Sequence, residues 1–370
     1  MVTISTSGSD SDIRTLRVST SHMTTSPPPI RVATLNVRYD GQRATPTPIP
    51  PAGAVPPAPR KPWEDKYREQ AWAVRRSRLV DALLSTGDLD LIGFQEVYAS
   101  QLADLAALLG PKWAHVGVGR DDGKQAGEYS PIFFNTDRFT LLKWKSVWLS
   151  PTPDVPGSVG WDATQTRIAT LLSLADAAGG HVHAVCTHYD DRGVVARAES
   201  SLLIRAAIRA FVDEVEGADA GKGAAAGPVI LFGDFSELRR ATPLTPDSPD
   251  SEDGYRNITS FAPLPSGAPG FSFLDAYTHL AARGPRHAAQ SRPYGPKNTY
   301  TGFAAPGRER TTRIDFVMLA AEGARGERAR GGWQFSQYAV VDNWVEEGDA
   351  DGWEGRWSDH RAVRVTISKA

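Results

Sequence analysis

The chemistry in this chain sits where apolar runs end. In PVILFGDFSEL, residues 228–238, Val229, Ile230, Leu231 and Phe232 form a run that reads as a strand buried on both faces, and Asp234 follows Gly233 at its mouth. A carboxylate there is costly to desolvate unless a metal ion, a protonated base or a substrate pairs with it. The plainer alternative is a strand-ending turn, in which Asp234 and Ser236 satisfy local backbone groups. The placement recurs, however. Asn36 lies near the end of RVATLNVRY, Glu96 ends DLDLIGFQE, and His188 with Asp190 ends HVHAVCTHYD. Asp359 and His360 open the last apolar run, and Asp315 lies inside RIDFVML. One such placement is ordinary turn chemistry; its recurrence along one chain points to a shared rim.

On one rim these residues would supply oxygen ligands, two histidines and no thiolate. That donor set selects a hard cation, Mg²⁺ or Mn²⁺, over zinc. Glu96 is the foremost ligand candidate. Asn36 would ligate the metal or hold a phosphoryl oxygen. His360, with Asp315 to orient it, is a candidate general base for activating water.

The elements that must position them follow from periodicity. Residues 31–39, 88–98, 113–119, 131–135, 139–150, 167–176 and 181–189 read as strands, the last two as a hairpin. Further strands are expected at 228–232, 298–303, 313–320, 333–342 and 358–368. Helices are expected at about 71–85, stopped near Gly87, at 101–109, and through the second half of 191–215, with Ala198, Leu202, Ile204, Ala206, Ile208 and Val212 as apolar positions. Residues 239–270 read as loop, with a short helix or turn at 273–280. Strands outnumber helices, and several follow one another without a helix between them. This favours an α+β domain of two packed, mainly antiparallel sheets flanked by helices over a doubly wound parallel fold.

Residues 1–29 are Ser- and Thr-rich and end in three prolines, so they read as a disordered tail. Residues 41–62 carry eight prolines among small residues and read as a stiff, extended insertion rather than a domain. The net charge of −2 gives no basic stripe for a long nucleic-acid footprint. Cys186 is the only cysteine, so no intrachain disulfide framework forms. No apolar run approaches a membrane span and no secretory pattern opens the chain, so the expected protein is an intracellular monomer, in cytoplasm or nucleus, without membrane insertion.

Taken in order, TLNVR, GFQEV, THYDD, GDF, RIDF and SDH resemble the endonuclease/exonuclease/phosphatase superfamily across about residues 30–368. VGVGRDDGKQAGEYSPIFF (116–134) and WLSPTPDVPGSVGWDA (148–163) resemble a bacterial and fungal branch of it. The resemblance implies a four-layer α/β sandwich with two mostly antiparallel sheets, and Mg²⁺- or Mn²⁺-dependent hydrolysis of a phosphoester. It implies Glu96 as main metal ligand, with Asn36 and Asp359 near the metal. It implies His360, paired with Asp315, as base or phosphate-contacting imidazole. His188 would bind the scissile phosphate or aid the leaving group, and Asp234 would orient the water or a second metal. Asn36, Ser236, Asp190 and Tyr129 are the residues expected to touch substrate, with Arg120, Asp122 and Glu128 in the same loop as Tyr129. One departure stands out: the family motif is GDFN, and this chain has GDFS.

Two functions follow. The first is a divalent-metal phosphoesterase acting on a phosphorylated small molecule or a short nucleic acid. The second is an impaired or non-catalytic family member that binds rather than turns over, because Ser236 replaces Asn.

Overall fold

The computed structural model describes residues 26–40, 69–218, 226–236, 253–282, 293, 295–322, 328–346 and 354–370. Most of the expected tail and all of the proline-rich insertion lie outside the described residues. The tail's last two residues are held in place: Arg138 donates to the carbonyls of Pro28 and Pro29 at 2.9 and 2.7 Å.

In chain order the strands are β1 (Ile30–Asn36), β2 (Leu91–Gln95), β3 (Trp113–Val116), β4 (Ile132–Asn135), β5 (Phe139–Trp148), β6 (Ile168–Asp176), β7 (His181–His188) and β8 (Val229–Asp234). They continue as β9 (Phe273–Asp275), β10 (Asp315–Glu322), β11 (Arg328–Ala329), β12 (Trp333–Val341), β13 (Trp344–Val345), β14 (Gly355–Arg356) and β15 (Ala362–Lys369). The helices are α1 (Trp72–Ser85), α2 (Ala99–Leu109), α3 (Val194–Ala218), α4 (Asp253–Thr259) and α5 (Ala276–Ala281).

One sheet runs β12-β15-β1-β2-β4-β3 and the other β11-β10-β8-β7-β6-β5, with β9 beside β10. Each contains one parallel pair, β1 with β2 and β7 with β8; their other pairs are antiparallel. Parallel neighbours need a long crossover, and α1 and α3 lie in those two connections.

Strand alternation builds the four layers. On β1, Ile30 and Val32 face the inter-sheet core, while Ala33 and Leu35 pack with α1 and α2. On β8, Ile230 and Phe232 face the same core, while Val229 and Leu231 pack with α3 and α4. The order is therefore helices, sheet, sheet, helices: an α+β sandwich, as expected. Gly93 on β2 is required by this packing, since a Cβ there would lie 2.0 Å from the Phe232 ring.

The same alternation aims the chemistry. Side chains two apart share a face, so the Ile30-Val32-Thr34 row ends in Asn36, and Val182-Ala184-Cys186 ends in His188. Likewise Ile230-Phe232 ends in Asp234, and Val317-Leu319 begins with Asp315. The parallel pairs place the C-terminal ends of β1, β2, β7 and β8 on one rim. Their antiparallel neighbours β10 and β15 begin at that rim.

Several local expectations differ. Gly233 does not end its strand: β8 runs through Asp234, paired along Asp315-Phe316 of β10. Residues 298–303 form no strand, because Tyr300 makes only isolated bridges, to Thr312 and His360. Helix α4 falls in the stretch read as loop. On α3 the buried face runs Ala196, Ser200, Ile204, Ile208 and Phe211–Val212; Ala198, Leu202 and Ala206 are half-buried beside it.

Candidate active site

The rim residues close around Asp234, which is buried at the end of β8. Its Oδ1 accepts from the Ser236 amide at 2.7 Å, and its Oδ2 accepts from Asn36 Nδ2 at 2.9 Å. His188 Nε2 and His360 Nε2 stand 3.5 and 3.6 Å from that same Oδ2. Asn36 Nδ2 also donates to Glu96 Oε1 at 2.9 Å, while Asn36 Oδ1 accepts from the Arg38 amide at 2.9 Å. With its amide nitrogen between two carboxylates, Asn36 ties Glu96 to Asp234. Its oxygen accepts from the Arg38 amide.

His360 Nδ1 lies 2.9 Å from Asp315 Oδ2. Thr299 Oγ1 accepts from the amides of Ile314 and Asp315, both at 3.1 Å, and fixes the backbone that presents the carboxylate. Ser358 Oγ donates to the Asn36 carbonyl at 2.6 Å and joins the approach to β15 to the end of β1.

Charges are strongly redistributed. Burial opposes a charge on His360, but Asp315 and Asp234 outweigh it and push its pKa up to about 10. Burial, with Asp315 nearby, pushes Asp234 up to about 7 against the pull of His360. Burial also works against ionised Glu96, yet Arg38, the Asn36 bond, His360 and the Tyr39 amide together hold it below the ordinary carboxylate range. His188 is pushed well below the ordinary histidine range by burial and by Arg167 and Arg120. Neutral His188 has Arg167 Nη1 3.0 Å from its Nδ1. Nδ1 must then accept, and Nε2 carries the proton.

A cleft of about 400 Å³ opens over these groups. Arg38, Tyr39, Tyr300, Asp359, Gln165 and Arg167 are among the residues that line it. Among the described residues, four non-glycine residues have left-handed φ: Arg38 at 60°, Glu96 at 59°, Trp161 at 55° and Ser236 at 51°. Three of them, Arg38, Glu96 and Ser236, line the cleft, so backbone strain gathers at the site.

Asp234, Asp315 and His360 present possible ligand atoms within 4.8 Å of one another. A protonated imidazole already bound to Asp315 is a poor ligand, however. Glu96 and Asp359 both line the cleft, and they are the two acids that most favour the Arg38 charge. Carboxylate oxygens are the donors that a hard cation takes.

Two expected substrate contacts have other work. Asp190 Oδ1 accepts from the amides of Arg192 and Gly193 at 3.0 and 2.7 Å, and its Oδ2 from those of Thr164 and Gln165 at 3.1 and 3.3 Å. It knits two loops together. Tyr129 is buried, donates its hydroxyl to the Lys124 carbonyl at 2.8 Å and pairs its backbone with Val97. Ser236 does reach the cleft, with Oγ donating to the Tyr189 carbonyl at 3.1 Å.

The description "Endonuclease/Exonuclease/phosphatase family" belongs to the family model that matches residues 33–360. The chain belongs to that family. Among solved structures it is similar to an endonuclease/exonuclease/phosphatase from Bacteroides vulgatus, at 28% identity and a TM-score of 0.63, covering 93% of this chain and 100% of that one. It is also similar to the mannosyl-6-phosphatase of Bacteroides thetaiotaomicron, at 25% identity and a TM-score of 0.63, covering 91% of this chain and 99% of that one. A further family protein from Bacteroides thetaiotaomicron shares the fold, at 24% identity and a TM-score of 0.65, covering 94% and 100% of the two chains. No curated protein matches the chain in sequence. Members of the family are hydrolases of phosphoesters.

Sequence reasoning missed Arg167. It precedes β6, which is antiparallel to β7 and so begins on the same rim. The rule that found Asp359 and His360 at a strand start would have found Arg167 too. Arg38, the last residue of TLNVR, is marked out by a left-handed backbone, which is not visible in residue type.

Proposed function

We propose that this protein is a divalent-metal-dependent phosphoesterase acting on a phosphorylated small molecule or a short nucleic acid. The observation that carries the reading is the position of Asp234 Oδ2, between His188 Nε2 and His360 Nε2 and joined through Asn36 to Glu96. A phosphoryl group set there meets a base, two N–H donors and a cation position at once. Glu96 and Asp359 would hold the metal, Mg²⁺ or Mn²⁺, which when bound neutralises phosphoryl oxygens and acidifies water.

Asp234, with a pKa near 7, takes a proton from the attacking water at neutral pH. The water oxygen bonds to phosphorus and the ester P–O bond breaks. His360, an imidazolium at neutral pH, then serves as donor to the leaving oxygen rather than as the base expected from the sequence. Asp315 keeps it oriented and charged. His188 offers its Nε2–H to a non-bridging oxygen, a role that its neutral state suits.

The resemblance to a mannosyl-6-phosphatase makes phosphorylated sugars the first substrates to try. The test is hydrolysis of sugar phosphates, nucleotides, inositol phosphates and short oligonucleotides with Mg²⁺ or Mn²⁺, beside Glu96→Ala and His360→Ala. Turnover in wild type that vanishes in both variants supports the reading. Equal turnover in the variants overturns it. If wild type is feeble and Ser236→Asn revives it, the chain is an impaired enzyme.

A further inference from the structure

We infer that Arg120 and Gln165 close one end of the catalytic cleft, so that it admits a compact phosphomonoester and excludes a polynucleotide running through it. This rests on the phosphoesterase reading and narrows it to a substrate class.

Arg120 follows β3 of one sheet, and Gln165 precedes β6 of the other. Arg120 Nη2 donates to Gln165 Oε1, so one side-chain bond ties the rim loops of the two sheets together beyond His188. Arg120 Nη1 meanwhile donates to Glu128 Oε2 at 2.8 Å. Both halves of the strap are stiff. Asp122 Oδ1 accepts from the amides of Lys124 and Ala126 at 2.7 and 2.9 Å, and the Trp148 indole donates to the Arg120 carbonyl at 2.7 Å. On the other side, the backbone of Thr164 and Gln165 is fastened to Asp190.

Beneath the strap little space remains. Arg120, Glu128, Arg167 and His188 surround a cavity of about 10 Å³, room for one water. Arg120 Nε and Arg167 Nε are both buried and make no hydrogen bond among the described residues; their nearest carboxylate oxygens are Asp121 Oδ1 at 3.8 Å and Asp190 Oδ2 at 3.6 Å. That end of the cleft is therefore filled and tied. An internal phosphodiester of a polynucleotide carries chain on both sides of the phosphate being cleaved, whereas a terminal monoester extends to one. The roughly 400 Å³ of open cleft, from Tyr39 to Arg192, suits a single sugar-sized leaving group.

The experiment uses the full chain with Mg²⁺ and compares kcat/KM on mannose 6-phosphate and p-nitrophenyl phosphate with that on bis-p-nitrophenyl phosphate and a single-stranded oligonucleotide. Wild type is expected to favour the monoesters. Gln165→Ala, at an exposed position, removes the strap and leaves Glu128 its arginine; Arg120→Ala removes both contacts. Each is expected to raise the diester-to-monoester ratio by about tenfold, the scale on which pocket contacts discriminate substrates. A wild type that favours the oligonucleotide overturns the inference, as does an unmoved ratio in both variants with unchanged melting. If wild type hydrolyses the monoesters, the phosphoesterase reading survives that failure. If it hydrolyses none of the four substrates, both fall.

Discussion

Asp315 stands directly opposite Asp234 across the antiparallel β8–β10 pair. Like charges in facing positions destabilise a sheet, and both carboxyls are buried. His360 resolves the conflict, with Nδ1 at 2.9 Å from Asp315 and Nε2 at 3.6 Å from Asp234. Asp315, His360 and Asp234 thus form a buried structural ion cluster.

His360→Ala should therefore lose stability together with turnover. Stripping one partner from a buried charge cluster costs about 3–5 kcal/mol, less whatever the carboxyls recover by taking up protons. Urea midpoints and turnover, measured side by side, check this; an unchanged midpoint would remove His360 as the counter-ion. Asp315→Asn is the companion. Asp315 is the foremost group holding the His360 pKa up near 10, so its neutralisation moves that titration downward, as followed by NMR of the imidazole.

Metal binding should be separable from catalysis. Glu96, held below the ordinary carboxylate range and strained at φ 59°, lines the cleft with Asp359, and both act on the Arg38 charge. Mg²⁺ or Mn²⁺ is expected to raise the melting temperature of wild type and leave that of Glu96→Ala unmoved. A cation at 100 times its Kd stabilises by about 2.7 kcal/mol, which is readily seen in a melting curve. Chelation should reverse the gain and remove turnover. An equal shift in Glu96→Ala would place the cation elsewhere.

Ser236 carries the departure from GDFN in its backbone as well as its side chain. Its φ of 51° lies in the left-handed region, where Asn is several-fold enriched and serine is not. Ser236→Asn is therefore expected to add up to about 1 kcal/mol of stability, since αL costs most residues about 1–2 kcal/mol. It also restores an amide donor to the cleft, worth about 10²-fold in rate if aimed at the developing charge. Ser236→Gly separates the effects: relief of strain without a donor. If Asn and Gly give the same turnover, the amide has no catalytic part.

How much of this was legible in the sequence depends on which force places each residue. Asn36, His188, Asp234 and Asp315 were readable because apolar alternation aims them; period two needs no tertiary information. The pairing of Asp315 with Asp234 was not, because register between strands far apart in sequence leaves no local trace. Asp190 and Tyr129 stand in or beside the motifs, yet the hydrogen bonds that hold them to loop backbone are tertiary and leave no mark in residue type. Residues 298–303 looked like a strand from Thr and aromatic content, yet Thr299, Tyr300 and Thr301 bond to the segments around Thr312 and Asp359 as a connection. The sandwich, by contrast, followed from counting strands without intervening helices.

At the far end of the second sheet, acid should loosen a different cluster. Arg330 Nη1 and Nη2 donate to Glu216 Oε1 and Oε2 at 3.0 and 2.5 Å, and His183 Nε2 lies 3.2 Å from Glu216 Oε1. Burial works against the carboxylate, but His183 and Arg330 bring its pKa down to about 2, from 4.5. A depressed carboxyl pKa contributes stability above its unfolded value and loses it as pH falls through the folded one. Glu216→Gln should thus be less stable than wild type from neutral pH down to about 4.5, by on the order of 2 kcal/mol, after discounting for a side chain that is 26% exposed. Between pH 4.5 and 2 the two stabilities should converge, and urea midpoints across that window read the difference directly. A gap that persists unchanged to pH 2 would mean that packing around Arg330, rather than the ionised carboxylate, ties α3 to the β11–β12 connection.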